Sequence, residues 1–210
     1  VTLAQQGWYQ WHAPYDDLLS EQTDRLEVVQ RLLVEFFDGA PEGPLRVVSI
    51  CSGQSRDLLP ILIHHPRGPG VRATMLELDP LNASFLHGAL GSTALTGVDV
   101  VVADAGLAAT YAGIVPVDLA LLCGVFANVA PTDAARTVEL LPALCAPGAT
   151  VVWTSYGDGL ADADAVLELL ERGPFERVAL HRDPTCVVAA HRFTGTTAPL
   201  PAENRVFTFR

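Results

Sequence analysis

The side chains best placed to do chemistry in this 210-residue chain stand at the ends of apolar runs. Residues 45 to 51, LRVVSIC, lead into Ser52-Gly53-Gln54-Ser55. Small residues at such a turn let the backbone approach a ligand closely, and a helix that starts there offers unpaired N–H groups. The next apolar run, residues 71 to 78, closes on Glu77-Leu78-Asp79-Pro80. A carboxylate at the carboxyl end of a second strand, beside the first glycine turn, can accept two O–H donors of a ribose diol. Glu77 is that carboxylate, whereas Asp79 before Pro80 has the pattern of a helix N-cap. A third run, 98 to 103, ends at Asp104-Ala105, and a fourth ends at Cys123-Gly124-Val125. Phe126 and Asn128 follow it, and Tyr156 follows a fifth run. Ligands of open α/β sheets collect at carboxyl strand ends, so these three are candidates for a substrate-pocket wall. Core packing for Phe126 and a helix cap for Asn128 are the competing assignments.

A second cluster lies near the start, in Gly7-Trp8-Tyr9-Gln10-Trp11-His12-Ala13-Pro14-Tyr15-Asp16. Trp and Tyr present an apolar face with one polar handle, and a histidine titrates near neutral pH. Trp11, His12 and Tyr15 are therefore substrate-side candidates, with His12 and Tyr15 the catalytic candidates and His12 the acid or base. A hydrophobic staple of the first helix onto the core is the alternative. The other histidines, His64, His65, His87, His181 and His191, lie on or after helices or in the terminal pair of strands and read as structural.

What must position these groups is an alternation of two periods. Leu19, Leu26, Val29, Leu33, Phe36 and Phe37 recur at helical spacing before Asp38-Gly39. Five apolar runs then alternate with helical segments: 45 to 51, 71 to 78, 98 to 103, 117 to 123 and 149 to 155. The intervening helices are expected from Leu58, over 80 to 90, briefly near 106 to 113, and over 132 to 144; another follows over 160 to 172. Strands that are apolar throughout and separated by helices predict a parallel sheet covered on both faces. Residues 175 to 183 and 185 to 193 differ, because Asp183-Pro184 leaves no room for a crossover helix, and such a connection must be an antiparallel hairpin. The expected fold is thus α/β, a seven-stranded, doubly wound, mostly parallel sheet ending in that hairpin. Its parts are an N-terminal aromatic segment and helix over 1–44, a sheet domain over 45–194, and a loosely attached tail over 195–210.

Composition narrows the function classes. Thirteen Lys and Arg against 24 Asp and Glu give a formal charge of −11, which opposes binding to a phosphate backbone. Nucleic acid is excluded as the expected partner, and a small molecule takes its place. The apolar runs break too often at Gly, Pro or a charge to span a membrane, and the start shows neither a basic flank nor an apolar leader, so the expected compartment is the cytoplasm. Cys51, Cys123, Cys145 and Cys186 form no C-x-x-C pair and read as reduced thiols rather than disulfides or a metal site.

The turn at 47 to 59 resembles motif I of the class I methyltransferases, with Ser49 where the acid usually stands, Cys51 for the first glycine, Gly53 kept, and Ser55 for the third. MLELDP and VVVADAG resemble the family's acidic positions after strands two and three, and VDLALLCGVFANVA its strand-four edge. WHAPYDD, SGQSRDLLP, CGVFANV and LPALCAPGATVVWT resemble small actinobacterial members of unassigned substrate. The resemblance implies S-adenosylmethionine as cofactor, with S-adenosylhomocysteine as product. It implies cofactor contacts from Cys51, Ser52, Gly53, Glu77, Leu78, Asp104, Ala105, Cys123, Gly124 and Val125, with Asp104 and Ala105 at the adenine. It also implies methyl transfer to a small-molecule acceptor flanked by Trp11, Phe126, Asn128 and Tyr156. Three rival functions stand beside it: a nicotinamide oxidoreductase, which would want the G-x-G-x-x-G turn that Cys51 breaks; a non-catalytic cofactor-binding or assembly subunit; and a non-methylating use of the same sulfonium cofactor.

Overall fold

A computed structural model describes residues 7–17, 19–156, 159, 161–201 and 205–209. Five strands of parallel direction carry the sheet: β1 (Leu45–Ile50), β2 (Val71–Glu77), β3 (Val98–Val102), β4 (Val117–Cys123) and β5 (Cys145–Tyr156). β6 (Phe175–Arg182) and β7 (Cys186–Phe193) form the expected antiparallel hairpin, and the order is β3-β2-β1-β4-β5-β7-β6. β7 alone runs against the rest, wedged between β5 and β6. The chain order reverses between β1 and β4, the crevice where open α/β sheets bind ligands.

The helices are α1 (Glu21–Gly39), α2 (Leu58–His64), α3 (Pro80–Leu90), α4 (Pro131–Leu144) and α5 (Ala163–Arg172). Each starts where its local chemistry says it should. The Ser20 hydroxyl accepts from Thr23 N at 3.2 Å, and Asp79 accepts from Leu81 N and Asn82 N at 2.8 and 3.1 Å, satisfying the first orphan donors. Pro80 and Pro131 occupy first-turn positions whose N–H would have been unpaired anyway. Leu160, the expected start of α5, lies outside the described residues, and the described helix opens on an Asp162 cap. The short helix near 106 to 113 is a 3-10 turn over Ala108–Tyr111. β5 starts four residues earlier than the apolar run suggests, since Cys145 pairs with Val117 ahead of a register shift that Gly148, at φ +83, accommodates.

Alternate residues of each strand feed two cores. Val47, Met75, Leu119 and Val152 face α1, α2 and α3, while Val48, Ile50, Leu122 and Trp153 face α4 and α5. Leu19 is not part of the helical face; it precedes α1 and is 92% exposed. The tail corrects the sequence reading more plainly. Val206 and Phe207 are buried, Val206 N donates to Gly106 O at 2.7 Å, and Arg205 and Phe209 bridge to Leu107 and Val129. The apolar residues at 206, 207 and 209 find an uncovered edge of the core, although polar and proline-flanked turns precede them.

Phe126 is likewise corrected. It is fully buried, meeting the Trp153 ring edge-on at 5.5 Å and 86°, and so belongs to the α4–α5 core rather than to a pocket wall. Phe126→Ala is expected to lower unfolding stability by about 3–5 kcal/mol through the cavity left behind, with ligand affinity unchanged; denaturant unfolding beside a ligand titration checks both halves.

Candidate active site

The carboxyl ends of β1, β2 and β3 meet in one cavity of about 350 Å³, within the range of small-molecule pockets (about 300–1,000 Å³). Its floor is the turn after β1. Cys51, Gly53 and Ser55 all take left-handed backbone conformations, at φ 54, 55 and 48. For Cys51 and Ser55 this costs of order 1–2 kcal/mol each, the kind of strain that persists where surrounding contacts over-determine it. One such contact is Glu77, only 7% exposed, whose Oε2 accepts from Gly53 N at 2.6 Å and whose Oε1 accepts from Asp79 N at 2.7 Å. Burial raises the Glu77 pKa, and the bonds from Asp79 and Gly53 pull against that rise. Leu78, next along, is half exposed and lines the cavity beside it.

Asp104 and Ala105 sit on the β3 side. Asp104 Oδ1 accepts from Gly106 N at 2.8 Å, and Oδ2 pairs with Arg205 Nη2 at 2.9 Å. The carboxylate expected to read an adenine amino group thus already holds the returning tail. Sequence alone missed Arg205, and also Phe207 and Phe209 beside it in the cavity wall.

The aromatic N-terminal segment closes the opposite side as a 3-10 helix over Gln10–Asp16. His12 Nδ1 donates to Trp8 O at 2.9 Å, and Nε2 accepts from Gln54 N at 3.3 Å, which fixes the neutral tautomer with its proton on Nδ1. A Cβ on Gly53 would stand 2.3 Å from His12 Nε2, so the retained glycine is what admits the ring. Burial lowers the His12 pKa, with the Trp8 carbonyl opposing. Both nitrogens are therefore committed to backbone. Tyr15 accepts a hydrogen bond from Arg25 Nη2, and burial pushes its phenol up to about 12. Trp11 packs between His12, Tyr15 and Tyr156, at ring separations of 5.2, 6.1 and 6.1 Å.

The strand-four and strand-five positions divide. Cys123 and Asn128 line the cavity, Asn128 Nδ2 donating to Gly124 O at 2.7 Å. Gly124 and Val125 do not line it: Gly124 N is tied to Thr154 Oγ1 at 2.9 Å, and Val125 is buried in the core. Tyr156 stands behind Arg25, bordering a small neighbouring recess instead of the cavity. Cys51 and Cys123 are cavity-side thiols, both pushed up in pKa by burial, while Cys145 and Cys186 are buried. Four buried polar atoms of described lining residues, Arg25 Nη1, Ser52 Oγ, Ser55 Oγ and Asn82 Oδ1, have no hydrogen-bond partner within the protein. Among the described residues no cluster of His, Cys, Asp and Glu is arranged to hold a metal ion, and no helix is long and apolar enough to cross a membrane.

Comparison with known proteins puts the fold in context. No family model matches the sequence, and neither does any curated protein. Solved structures do match. CurJ carbon methyltransferase superposes with a TM-score of 0.71 at 13% identity, over 89% of this chain and 57% of that one. The chain has the fold of a methyltransferase. Magnesium protoporphyrin IX methyltransferase (ChlM) from Synechocystis PCC 6803, solved with bound SAM, matches at TM-score 0.68 and 10% identity over 90% of this chain and 91% of its own. An O-methyltransferase family protein from Burkholderia thailandensis matches at 0.67 and 13%, over 84% and 57%. The chain thus spans little more than half the length of two of these three.

The His12 contacts generate a pH prediction. A histidine whose pKa is depressed on folding stabilises above its unfolded value of 6.5, and that contribution is lost as pH falls through the lower folded value. Acidification below pH 6.5 is expected to undock the aromatic segment, read as a step in tryptophan emission. His12→Gln should lack the step. An identical step in both proteins would assign it elsewhere, for instance to His191, which burial holds at about 4.

Proposed function

We propose that this cavity binds S-adenosylmethionine and that the protein transfers a methyl group to a small-molecule acceptor. The observation that carries the reading is the convergence of the Gly53 turn, the Glu77 carboxylate and the Asp104 carboxylate on one cavity at the point where the strand order reverses. The residues suit such a cofactor. Ser52 Oγ, Ser55 Oγ and Asn82 Oδ1 await polar partners, and buried polar groups of folded proteins rarely go without them. Glu77 keeps lone pairs for a ribose diol, and Leu78 offers an apolar face to a base. When bound, the cofactor supplies an electrophilic methyl group on a sulfonium.

What the chain's own residues contribute is holding and exclusion of water. Asp104 orders the tail through Arg205, His12 pins the aromatic segment to the glycine turn, and together residues 8–15 and 205–209 cover the cavity. Tyr15 and Cys123, with raised pKa values, keep their protons at neutral pH, and His12 is a base only if it releases Gln54 N–H. The formal charge of −11 supports a small acceptor over nucleic acid.

Binding decides the reading first. S-Adenosylhomocysteine is expected to bind and NADH not to; the reverse would make the protein a nicotinamide oxidoreductase. Glu77→Ala should weaken S-adenosylhomocysteine by about 1–3 kcal/mol through loss of charge-assisted hydrogen bonds. Glu77→Gln, which keeps one carbonyl oxygen for the backbone donors, should lose less, and equal affinity in all three proteins would place the ribose elsewhere.

The aromatic segment is proposed as a lid rather than a staple, since its described residues, 7–17, contribute to neither apolar core. Deleting residues 1–16 is expected to leave the melting temperature nearly unchanged and to abolish methyl transfer; a clear fall in melting temperature would make it a staple.

A further inference from the structure

Arg25 is 4% exposed, the only buried Lys or Arg among the described residues. It sits on the inward face of α1, where helical spacing would otherwise place an apolar residue. Nη2 donates to the Tyr15 hydroxyl, and the guanidinium lies over the Tyr156 ring, 4.3 Å from its centroid. Nη1 is buried and has no partner, and no described carboxylate forms an ion pair with the group. A guanidinium keeps its charge at any working pH and offers five donors in a fixed fork. Burying it without a counter-ion is costly, so an anion that enters beside it relieves the penalty. Arg25 lines the cavity, so such an anion has a way in.

The geometry points to a carboxylate on the methyl acceptor, held by Arg25; the inference rests on the methyltransferase reading above. Charge matching selects a monoanion. Of the other arginines in the lining, Arg56 is already paired with Asp16 at 2.8 Å and Arg205 with Asp104 at 2.9 Å. A single free cation neutralises a carboxylate and leaves a phosphate dianion half compensated, and the guanidinium fork matches carboxylate geometry. The surroundings select an apolar, planar body for the rest of the molecule, since Trp11, Tyr15, Leu26 and Val29 wall the cavity around Arg25.

Position separates this group from the proposed ribose site. Glu77 ends β2 and Tyr156 ends β5, three strands apart in the order β2-β1-β4-β5. At about 4.8 Å per strand, the two charges mark opposite ends of a cleft about 14 Å wide. A carboxylate engaged on both oxygens by Arg25 serves as the handle, and the atom that receives the methyl group lies elsewhere in the acceptor.

The other source of a carboxylate is the amino-acid end of the cofactor itself, and the experiment separates the two. Benzoate, phenylacetate and indole-3-acetate, each beside its amide, are titrated into the wild-type complex with S-adenosylhomocysteine. At least one acid is expected to bind tenfold or more tightly than its amide, and Arg25→Met should erase that preference while leaving S-adenosylhomocysteine affinity within twofold. The wild-type comparison needs no variant, and Arg25→Lys, which keeps the charge, should retain part of the preference. The inference is overturned if no acid exceeds its amide in the wild type, or if the preference survives in a folded Arg25→Met. Should Arg25→Met weaken S-adenosylhomocysteine tenfold yet leave 5′-methylthioadenosine unchanged, Arg25 holds the cofactor's carboxylate and the acceptor assignment fails. Wild-type protein that binds no S-adenosylhomocysteine defeats the methyltransferase reading instead.

Discussion

The Glu77 carboxylate is the constraint on which the rest of the cavity depends. Buried at the carboxyl end of β2, it needs hydrogen-bond donors, and it takes them from Gly53 N in the turn after β1 and from Asp79 N in the turn after β2. Two adjacent strand ends are thereby held at a fixed separation. The turn at Cys51-Ser52-Gly53 must wind tightly to aim its N–H at the carboxylate, and the left-handed backbone at Cys51 and Ser55 is the local consequence. Gly53, having no Cβ, then leaves the gap that His12 occupies, so the docking of the N-terminal segment follows from the same bond.

The cavity built on this tie is charged at both ends and aromatic above. Carboxylates gather over β2 and β3, the buried Arg25 guanidinium stands toward β4 and β5, and rings from residues 8 to 15 and from Phe207 and Phe209 form the cover. Desolvation moves Glu77, Tyr15, Cys123 and His12 in the direction that favours the neutral form: upward for the first three, downward for His12. Arg25 differs from these groups in being a guanidinium, buried and without a described carboxylate partner, which is why it stands out as the recognition element of the site. A cavity of this kind suits chemistry whose reactive group is brought in by a cofactor, because the protein then has mainly to align partners and keep water away.

Segments belonging to neither the sheet nor its helices supply the cover. The 3-10 helix over Gln10–Asp16 is fastened by His12 on Gln54 and by Asp16 on Arg56, and the tail is fastened by Arg205 on Asp104 and by Val206 on Gly106. Each fastening reaches a turn at a strand end, so the cover registers on the groups that line the cavity. The N-terminal strap adds no described residue to the two large apolar cores, whereas the tail seats Val206 and Phe207 in the one that packs on α4 and α5.

Local chemistry determined much of this protein. Periods of 2 and 3.6, proline at Pro80 and Pro131, and the Asp79 and Ser20 caps fix where strands and helices start. With the alternation in hand, the turn at Gly53 and the acids Glu77 and Asp104 fall at successive strand ends without reference to anything distant. The tertiary structure decided what such periods cannot carry, namely which side chain meets which across the chain. Phe126 and Asn128 are two residues apart after β4, yet one enters the core against Trp153 and the other faces the cavity, because the 3-10 turn between them rotates their directions. The burial of Arg25 comes from Tyr15 ten residues before it and Tyr156 far beyond it, contacts that helical spacing does not specify. The tail reads as polar and loose, and it becomes a wall because Arg205 finds Asp104 a hundred residues away. Hydrogen bonds and apolar contacts between distant segments form only when the sheet brings their strand ends together, and that order, with β7 turned between β5 and β6, is a property of the packed whole.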